Sequence, residues 1–452
     1  MEARSRHRRP PLPGGPYVVL GLARSGQAAA RALAARGEQV IGVDAGAPEG
    51  AGALEDAGVE LHLDSDGAAL AARARTLIES PGVPHGAPLA RAARERGLTV
   101  LGELELGWRL LANPLIAVTG TNGKTTTVEL IGEIWRRAGR PVAVAGNVGT
   151  PLTSLAGALD DDAVIVCETS SFQLEDTVAF VPDVAVLLNV SEDHLDRHGT
   201  MDDYVAAKRQ AFSRQGDGDI AIVPADAAGA AGAGGAWLGG AARRVRFGPG
   251  GDSDCLEREG ALWWHRERLL ASDDIAMRGP HNRLNAMAAA ATALAAGVDL
   301  DAVREALRSF RGVPHRLEEV SRIRDVLYVN DSKATNVDST LVALCSFAPG
   351  SVHLIAGGRA KSGYDALSEP VAERCAAVYL IGEAADALAA ALGGSGVALA
   401  RCGTLELAVA AASNAASAGE VVLLSPACAS YDQFESFEQR GARFRELVDA
   451  LG

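Results

Sequence analysis

No stretch of this 452-residue chain is apolar for long enough to cross a bilayer. The Ala-rich run at 286–296 is too short and too weakly apolar. Arg4, Arg6, Arg8 and Arg9 crowd the start, but the apolar segment that a signal peptide needs does not follow them. A disordered basic tail is therefore expected over 1–15. The six cysteines lack C-x-x-C or metal-type spacing, and several lie in apolar runs. This argues against disulfides and predicts free, buried thiols in a reducing cytoplasm. Positive charge is also short: 43 Lys and Arg against 57 Asp and Glu leave a net charge of −14. A broad nucleic-acid footprint is excluded on that ground. An acidic chain that handles phosphates must gather its positive charge locally. Apolar residues are plentiful at 48%, so the length allows about three domains with cores of their own.

The chain is organised around I-A-V-T-G-T-N-G-K-T-T-T-V at 116–128. Residues 115–118 read as a buried strand, Gly120 and Gly123 permit a tight loop, and 126–138 reads as a helix. A strand, a glycine loop and a helix N-terminus form an anion site, because backbone N–H groups and the helix dipole face the phosphates. Gly120, Thr121, Asn122, Gly123, Lys124, Thr125 and Thr126 are thus candidate phosphate-binding residues. Lys124 would reach the terminal phosphates, and the Thr125 hydroxyl would ligate Mg²⁺. The pattern G-x-x-x-x-G-K-[ST] misses one residue, since Val118 stands at its first glycine.

Upstream, a strand at 17–20, the turn G-L-A-R-S-G at 21–26, an Ala-rich helix and a strand at 40–43 ending in Asp44 resemble a dinucleotide-binding half. The glycine spacing is not G-x-G-x-x-G, so a packing role for these glycines stays open. Ser80, Pro81 and Gly82 follow a strand at 76–78, where ligands of open α/β sheets bind. Asn113-Pro114 marks a boundary.

Downstream, strands end in Asn147, Glu168 and His194, on the same sheet edge as the phosphate loop. Oxygen and imidazole ligands there suit a hard divalent ion beside a nucleotide. Lys208 lies on a helix at 201–212 and by itself reads as a surface lysine. Residues 225–242 are nearly all Ala and Gly and read as a flexible insertion. Short antiparallel strands are expected at 245–247, 256–258 and 262–264. Asn285, with His281 and Asn282, opens an Ala-rich helix and either caps it or faces the nucleotide. Strands at 327–329, 352–356, 377–381 and 421–424 alternate with helices. The expected fold is α/β in three domains. The first is Rossmann-like, the second a central P-loop ATPase-type parallel sheet with small added antiparallel strands, and the third Rossmann-like again. The boundaries read 16–113, 114–312 and 313–452, with a cleft and closure expected.

The motifs G-T-N-G-K-T-T, E-T-S-S-F-Q-L, L-N-V-S-E-D-H-L-D-R-H, G-P-H-N-R-L-N-A, P-H-R-L-E, N-D-S-K-A-T-N and L-S-P-A-C-A-S-Y-D-Q-F-E-S-F-E-Q-R-G run in the order seen in the Mur ligase family. The last two resemble those of its members that add D-glutamate to UDP-N-acetylmuramoyl-L-alanine. The resemblance spans nearly the whole chain and is most specific from 119 onward. It implies an ATP-dependent amide ligase working through an acyl phosphate, with Mg²⁺, two ions in all, and a cytoplasmic monomer acting on small molecules. It makes Glu168, His194 and Thr125 metal positions and Lys208 a carbamylated lysine that helps hold the second ion. Lys124, His194 and Lys208 become catalytic candidates. Asn285, Arg316 and Asp331 match nucleotide positions, and Ala23, Arg24, Ser25, Asp44, Ser80, Pro81, Gly82 and Asn147 match the UDP-substrate end. Thr335, Lys361, Ser430 and Phe437 match glutamate positions.

Hydroxyl donors fit either mirror image, so an L-glutamate-adding variant stays open. A folylpolyglutamate synthase shares such a core, but the E-Q-R-G motif and the first domain argue against it. A nucleotide-hydrolysing switch is another alternative. A nicotinamide dehydrogenase on 17–44 would leave the Lys124 loop unexplained.

Overall fold

The computed structural model describes residues 5, 7–84, 86–225, 238–250, 253–360 and 363–452. The chain divides into two compact units, Met1–Asp274 with Leu284–Arg308, and Ile275–Arg283 with Ser309–Gly452.

The first unit holds two sheets. One is all parallel and built from β1 (Tyr17–Leu20), β2 (Val40–Val43), β3 (Glu60–His62), β4 (Thr76–Glu79) and β5 (Thr99–Gly102), in the order β3-β2-β1-β4-β5. Its central strands β1, β2 and β4 are buried throughout, as parallel strands covered by helices must be, while the edge strands β3 and β5 are partly exposed. The chain leaves β1 for β2 on one side and returns to β4 on the other. That reversal opens a crevice at the carboxyl ends of β1 and β4. Gly26 is required there: a Cβ on it would lie 1.7 Å from the Gly21 carbonyl oxygen.

The second sheet runs β14-β13-β12-β11-β10-β9-β6-β8-β7. Its strands are β6 (Leu115–Thr119), β7 (Val142–Gly146), β8 (Val164–Glu168), β9 (Val184–Leu187), β10 (Ile220–Pro224), β11 (Arg243–Phe247), β12 (Cys255–Arg258), β13 (Ala261–Trp264) and β14 (Glu267–Ala271). β6 lies between β8 and β9, so the loops after these three strands share one edge. The antiparallel expectation holds for β12 and β13, with β14 added. It fails for β11, which pairs parallel with β10 along its whole length. Most of the expected Ala/Gly insertion, 226–237, lies outside the described residues.

The helix Glu103–Leu110 locks the two sheets together. Glu105 accepts from the backbone N–H groups of Val178, Ala179 and Phe180, Glu103 accepts from Thr153, and the Trp108 indole donates to Val181. Of the stretch 1–15 expected to be a disordered tail, residues 1–4 and 6 lie outside the described residues, and several of the others make contacts. Ser5 donates to Asp183, His7 pairs with Asp219 at 2.8 Å, and the Arg9 guanidinium donates to the Leu111 and Asn113 carbonyls. Arg9 also stacks 4.3 Å from the Trp108 ring centre. Two buried carboxylates and an aromatic face give this basic stretch partners that its own sequence does not reveal.

The second unit carries a sheet ordered β15-β16-β20-β17-β18-β19. The strands are β15 (Glu318–Ile323), β16 (Val326–Asn330), β17 (Val352–Gly357), β18 (Cys375–Ile381), β19 (Ala398–Gly403) and β20 (Val421–Leu424). All pairs are parallel except β15 with β16. The loops after β16, β17 and β20 therefore sit side by side. All six cysteines are free thiols, and Cys167, Cys255, Cys375 and Cys428 are buried.

Candidate functional site

The phosphate loop emerges from β6 and feeds the helix Lys124–Arg137. Gly123 caps that helix at φ 86°, and a Cβ there would lie 2.3 Å from Asn285 Oδ1, so only glycine admits the Asn285 amide. Thr125 Oγ1 donates to Glu168 Oε2 at 2.8 Å, and Asn147 Nδ2 donates to Glu168 Oε1 at 3.2 Å. Three residues from three strand ends thus meet on one buried carboxylate. Oxygen donors this close form a set that a hard cation such as Mg²⁺ accepts.

Lys124 Nζ donates to the Gly120 and Thr121 carbonyls at 2.9 and 2.8 Å. Lys208 is not on the surface, as its helix alone suggested. It is 1% exposed, and its Nζ donates to Gly120 at 2.8 Å and lies 4.3 Å from the Tyr204 ring centre. Burial, with the Lys124 charge adding to it, holds Lys208 well below a lysine's ordinary pKa, against a smaller opposing pull from Asp193. An amine in that state is available as a nucleophile.

His194 follows β9 in a left-handed backbone, φ 55°, and its ring packs on Phe172 with centroids 4.8 Å apart. Phe172 lies in the short helix Ser171–Glu175 that follows Glu168. Asn189 stands inside the L-N-V-S-E-D-H motif and bonds the phosphate loop, a contact that sequence reasoning does not single out. Its Oδ1 accepts from the N–H groups of Thr121 and Asn122, and its Nδ2 donates to Asn122. Tyr204 was passed over too. Its hydroxyl pairs with Thr121 Oγ1 at 3.0 Å, and burial pushes its pKa up to about 12, keeping it neutral. Thr126 is buried in the first turn of the helix.

At the first sheet, Ala23, Arg24 and Ser25 stand at the start of the helix Arg24–Ala34, with Ala23 and Arg24 exposed. Asp44 closes the turn, accepting from the Leu22 and Gly46 N–H groups at 2.6 and 2.9 Å. Ser80 Oγ donates to the Gly21 carbonyl at 2.7 Å and joins the two loops at the crevice. Pro81 and Gly82 follow it.

In the second unit, Asp331 accepts from Ser425 Oγ and the Leu317 N–H, and burial raises its pKa to about 7. The Arg316 charge acts on it. Arg440, also passed over, is 1% exposed and ties together three loops. It donates to Ser332 Oγ and O and to the Cys428 carbonyl. Phe437 opens the last helix; its carbonyl accepts from Ser332 Oγ, and its ring lies edge-on to His315. Ser430 is buried and Thr335 half-buried on the flanking loops. Lys361 lies outside the described residues.

Residues 118–293 match the Mur ligase middle domain, and residues 315–428 match the Mur ligase glutamate ligase domain. A UDP-N-acetylmuramoylalanine--D-glutamate ligase of Acidobacterium capsulatum is 43% identical over 97% of this chain and 96% of its own length. One from Pelotomaculum thermopropionicum is 42% identical over 96% and 97%. Among solved structures, a UDP-N-acetylmuramate-alanine ligase of Thermotoga maritima shares the fold, with TM-score 0.61 at 19% identity over 97% of this chain and 100% of that one.

Proposed function

Because the chain belongs to the Mur ligase family, we propose that it is an ATP-dependent ligase joining D-glutamate to UDP-N-acetylmuramoyl-L-alanine, a cytoplasmic step of peptidoglycan synthesis. The observation that carries this reading is the phosphate loop whose Thr125 hydroxyl meets the Glu168 carboxylate, with two lysines on the Gly120 carbonyl. No helix among the described residues is long and apolar enough to cross a membrane.

The alanyl carboxylate attacks the γ-phosphorus of ATP and ADP leaves. The glutamate amine then attacks the acyl carbon, phosphate leaves, and the amine gives up a proton. Phosphoryl transfer asks for positioning and charge neutralisation rather than covalent help. The first-turn N–H groups and Lys124 hold the terminal phosphates. Thr125, Glu168 and His194 would hold Mg²⁺, which supplies charge neutralisation when bound. Lys208, whose pKa burial lowers, takes up CO₂ as a carbamate with release of a proton, and the new carboxylate would help hold a second ion. Asn285, Arg316 and Asp331 serve the nucleotide. Ala23, Arg24, Ser25, Asp44, Ser80, Pro81, Gly82 and Asn147 serve the UDP-substrate. Thr335, Lys361, Ser430 and Phe437 serve glutamate. The functional division follows 16–113, 114–312 and 313–452, in a monomer.

Phosphate release tests this, with ATP, UDP-N-acetylmuramoyl-L-alanine and each amino acid in turn. Release that needs D-glutamate and the UDP-substrate together supports the proposal. Turnover with L-glutamate alone refutes the named amino acid, and release without the UDP-substrate points to a nucleotide switch.

A further inference from the structure

Arg197 touches the loops of two candidate subsites at once. It lies in the short helix Leu195–His198, which His194 begins. Its Nη1 donates to the carbonyls of Pro81 at 3.1 Å and Val83 at 3.3 Å, on the proposed UDP-substrate loop. Its Cζ stands 4.2 Å from the centre of the Phe172 ring, and Nη2 is 3.6 Å from the Glu175 carboxylate. Phe172 is the same ring that packs on His194 and, with centroids 5.4 Å apart, on His198. His198 is clamped in turn, with Nδ1 2.6 Å from Glu175 Oε1 and Nε2 3.0 Å from Ser171 Oγ.

His194 adopts a left-handed backbone here, a conformation unfavourable for a residue with a Cβ. Such a conformation persists only where its surroundings over-determine it. Here the N–H groups of Arg197 and His198 both donate to the His194 carbonyl. A guanidinium can donate in its plane to two carbonyls while its face rests on an aromatic ring, and an ammonium cannot do both.

We propose that Arg197 is a positioning residue that couples occupancy of the 80–83 loop to the geometry of the metal-presenting loop at His194. The proposal rests on the ligase reading above. A sugar nucleotide seated on 80–83 fixes the two carbonyls, these fix the guanidinium, and the guanidinium holds Phe172 against His194. Metal binding at the phosphate loop is then tighter when the UDP-substrate is present. By linkage the reverse holds by the same factor.

Mn²⁺ binding followed by electron paramagnetic resonance tests this without turnover. It is measured on the full chain with a non-hydrolysable ATP analogue, with and without saturating UDP-N-acetylmuramoyl-L-alanine. The native protein should bind Mn²⁺ at least about 5-fold more tightly with the UDP-substrate. Arg197→Lys should bring that ratio close to one while leaving Mn²⁺ affinity without the UDP-substrate within about 2-fold. Phe172→Leu removes the ring and keeps the guanidinium, and should lose the ratio as well. It decides the question if Arg197→Lys does not fold. A purely structural role would shift the melting temperature and keep the ratio. A kept ratio in a folded variant, or no ratio in the native protein, overturns the proposal. Failure of the native protein to bind the UDP-substrate at all sinks the ligase reading, and this inference with it.

Discussion

Lys124 and Lys208 donate to the same carbonyl, that of Gly120, at 2.9 and 2.8 Å. Two ammonium groups so close in a buried setting disfavour each other's charge, and the more buried one is affected most. Lys208 is that one, and its pKa falls well below the ordinary value. Carbamylation by CO₂ uses the unprotonated amine, and a lowered pKa favours that form. Lys208→Ala should therefore lose about 100-fold or more in turnover, the scale of losing one charge-stabilising group. Added acetate should restore part of it, and the native protein should show a carbamate signal with ¹³C-bicarbonate. Full activity in the alanine variant would reduce Lys208 to a packing residue, since a change at an inert site stays within about 0.5 kcal/mol.

Lys124→Ala tests the same pair from the other side. It removes a charge from the transferring phosphoryl and should cost about 2.7–4 kcal/mol in transition-state stabilisation. It also removes a repulsion that depresses Lys208. The Lys208 pKa should then rise, and carbamate formation should shift to higher pH. Near-normal turnover, or an unchanged pH profile of the carbamate signal, would contradict this.

The phosphate loop was legible in the sequence because glycines, a lysine and threonines fall between an apolar strand and a helix. The strand-end residues Glu168 and Asn147 were legible for the same reason: parallel strands deliver their carboxyl ends to one edge. The position of Lys208 was not, since its helix carries Asp202, Asp203 and Arg209 and looks solvated from its composition. Only the tertiary fold brings Gly120, 88 residues away, against it. Asn189 and Arg440 escaped notice for a related reason. Most of their partners are backbone atoms, which leave no trace in residue identity. The parallel pairing of β11 was hidden as well, because a short apolar strand reads the same in either direction.

The described tail residues brace the first unit, so deleting residues 1–9 should lower its stability. Deletion leaves Asp183 without Ser5 and Asp219 without His7, and exposes the Trp108 face that Arg9 covers. A loss of about 1–3 kcal/mol is expected in urea unfolding, the range for buried groups deprived of partners. An unchanged midpoint would mean the contacts are neutral.

Asp331 gives a pH-dependent test in the second unit. Burial raises its folded pKa to about 7, from 3.8 for a free aspartate. A raised acid pKa means the folded state holds the proton more tightly. Its contribution is therefore fully present below about pH 4 and lost as pH rises through about 7. The span of about three pH units corresponds to roughly 4 kcal/mol as an upper bound. Asp331→Asn carries no charge to bury, so its stability relative to the native protein should improve between pH 4 and 7 and level off above. Denaturant titrations at pH 4.5, 6 and 8 would show this. A difference that does not change with pH would place the carboxylate's proton elsewhere.

Arg440 leads to the last expectation. Its guanidinium is almost wholly buried and donates to Ser332, Cys428 and, at 3.5 Å, Gly357. These residues end or follow β16, β20 and β17, whose loops carry the proposed glutamate residues. Burial lowers its pKa only to about 10, so the charge is kept at neutral pH and is shared among carbonyl oxygens. A planar fork can span three loops, whereas a lysine offers one point of attachment. Arg440→Lys should therefore keep the charge but free at least one loop. The stability loss should be about 3 kcal/mol, since buried acceptors are left without donors. The glutamate KM should rise well beyond any change in the ATP KM, because Thr335, Ser430 and Phe437 lose their common anchor while the phosphate loop keeps its own. Measuring both KM values below the variant's melting temperature separates positioning from unfolding. Equal rises in the two would show that Arg440 supports the fold of the unit and nothing more specific.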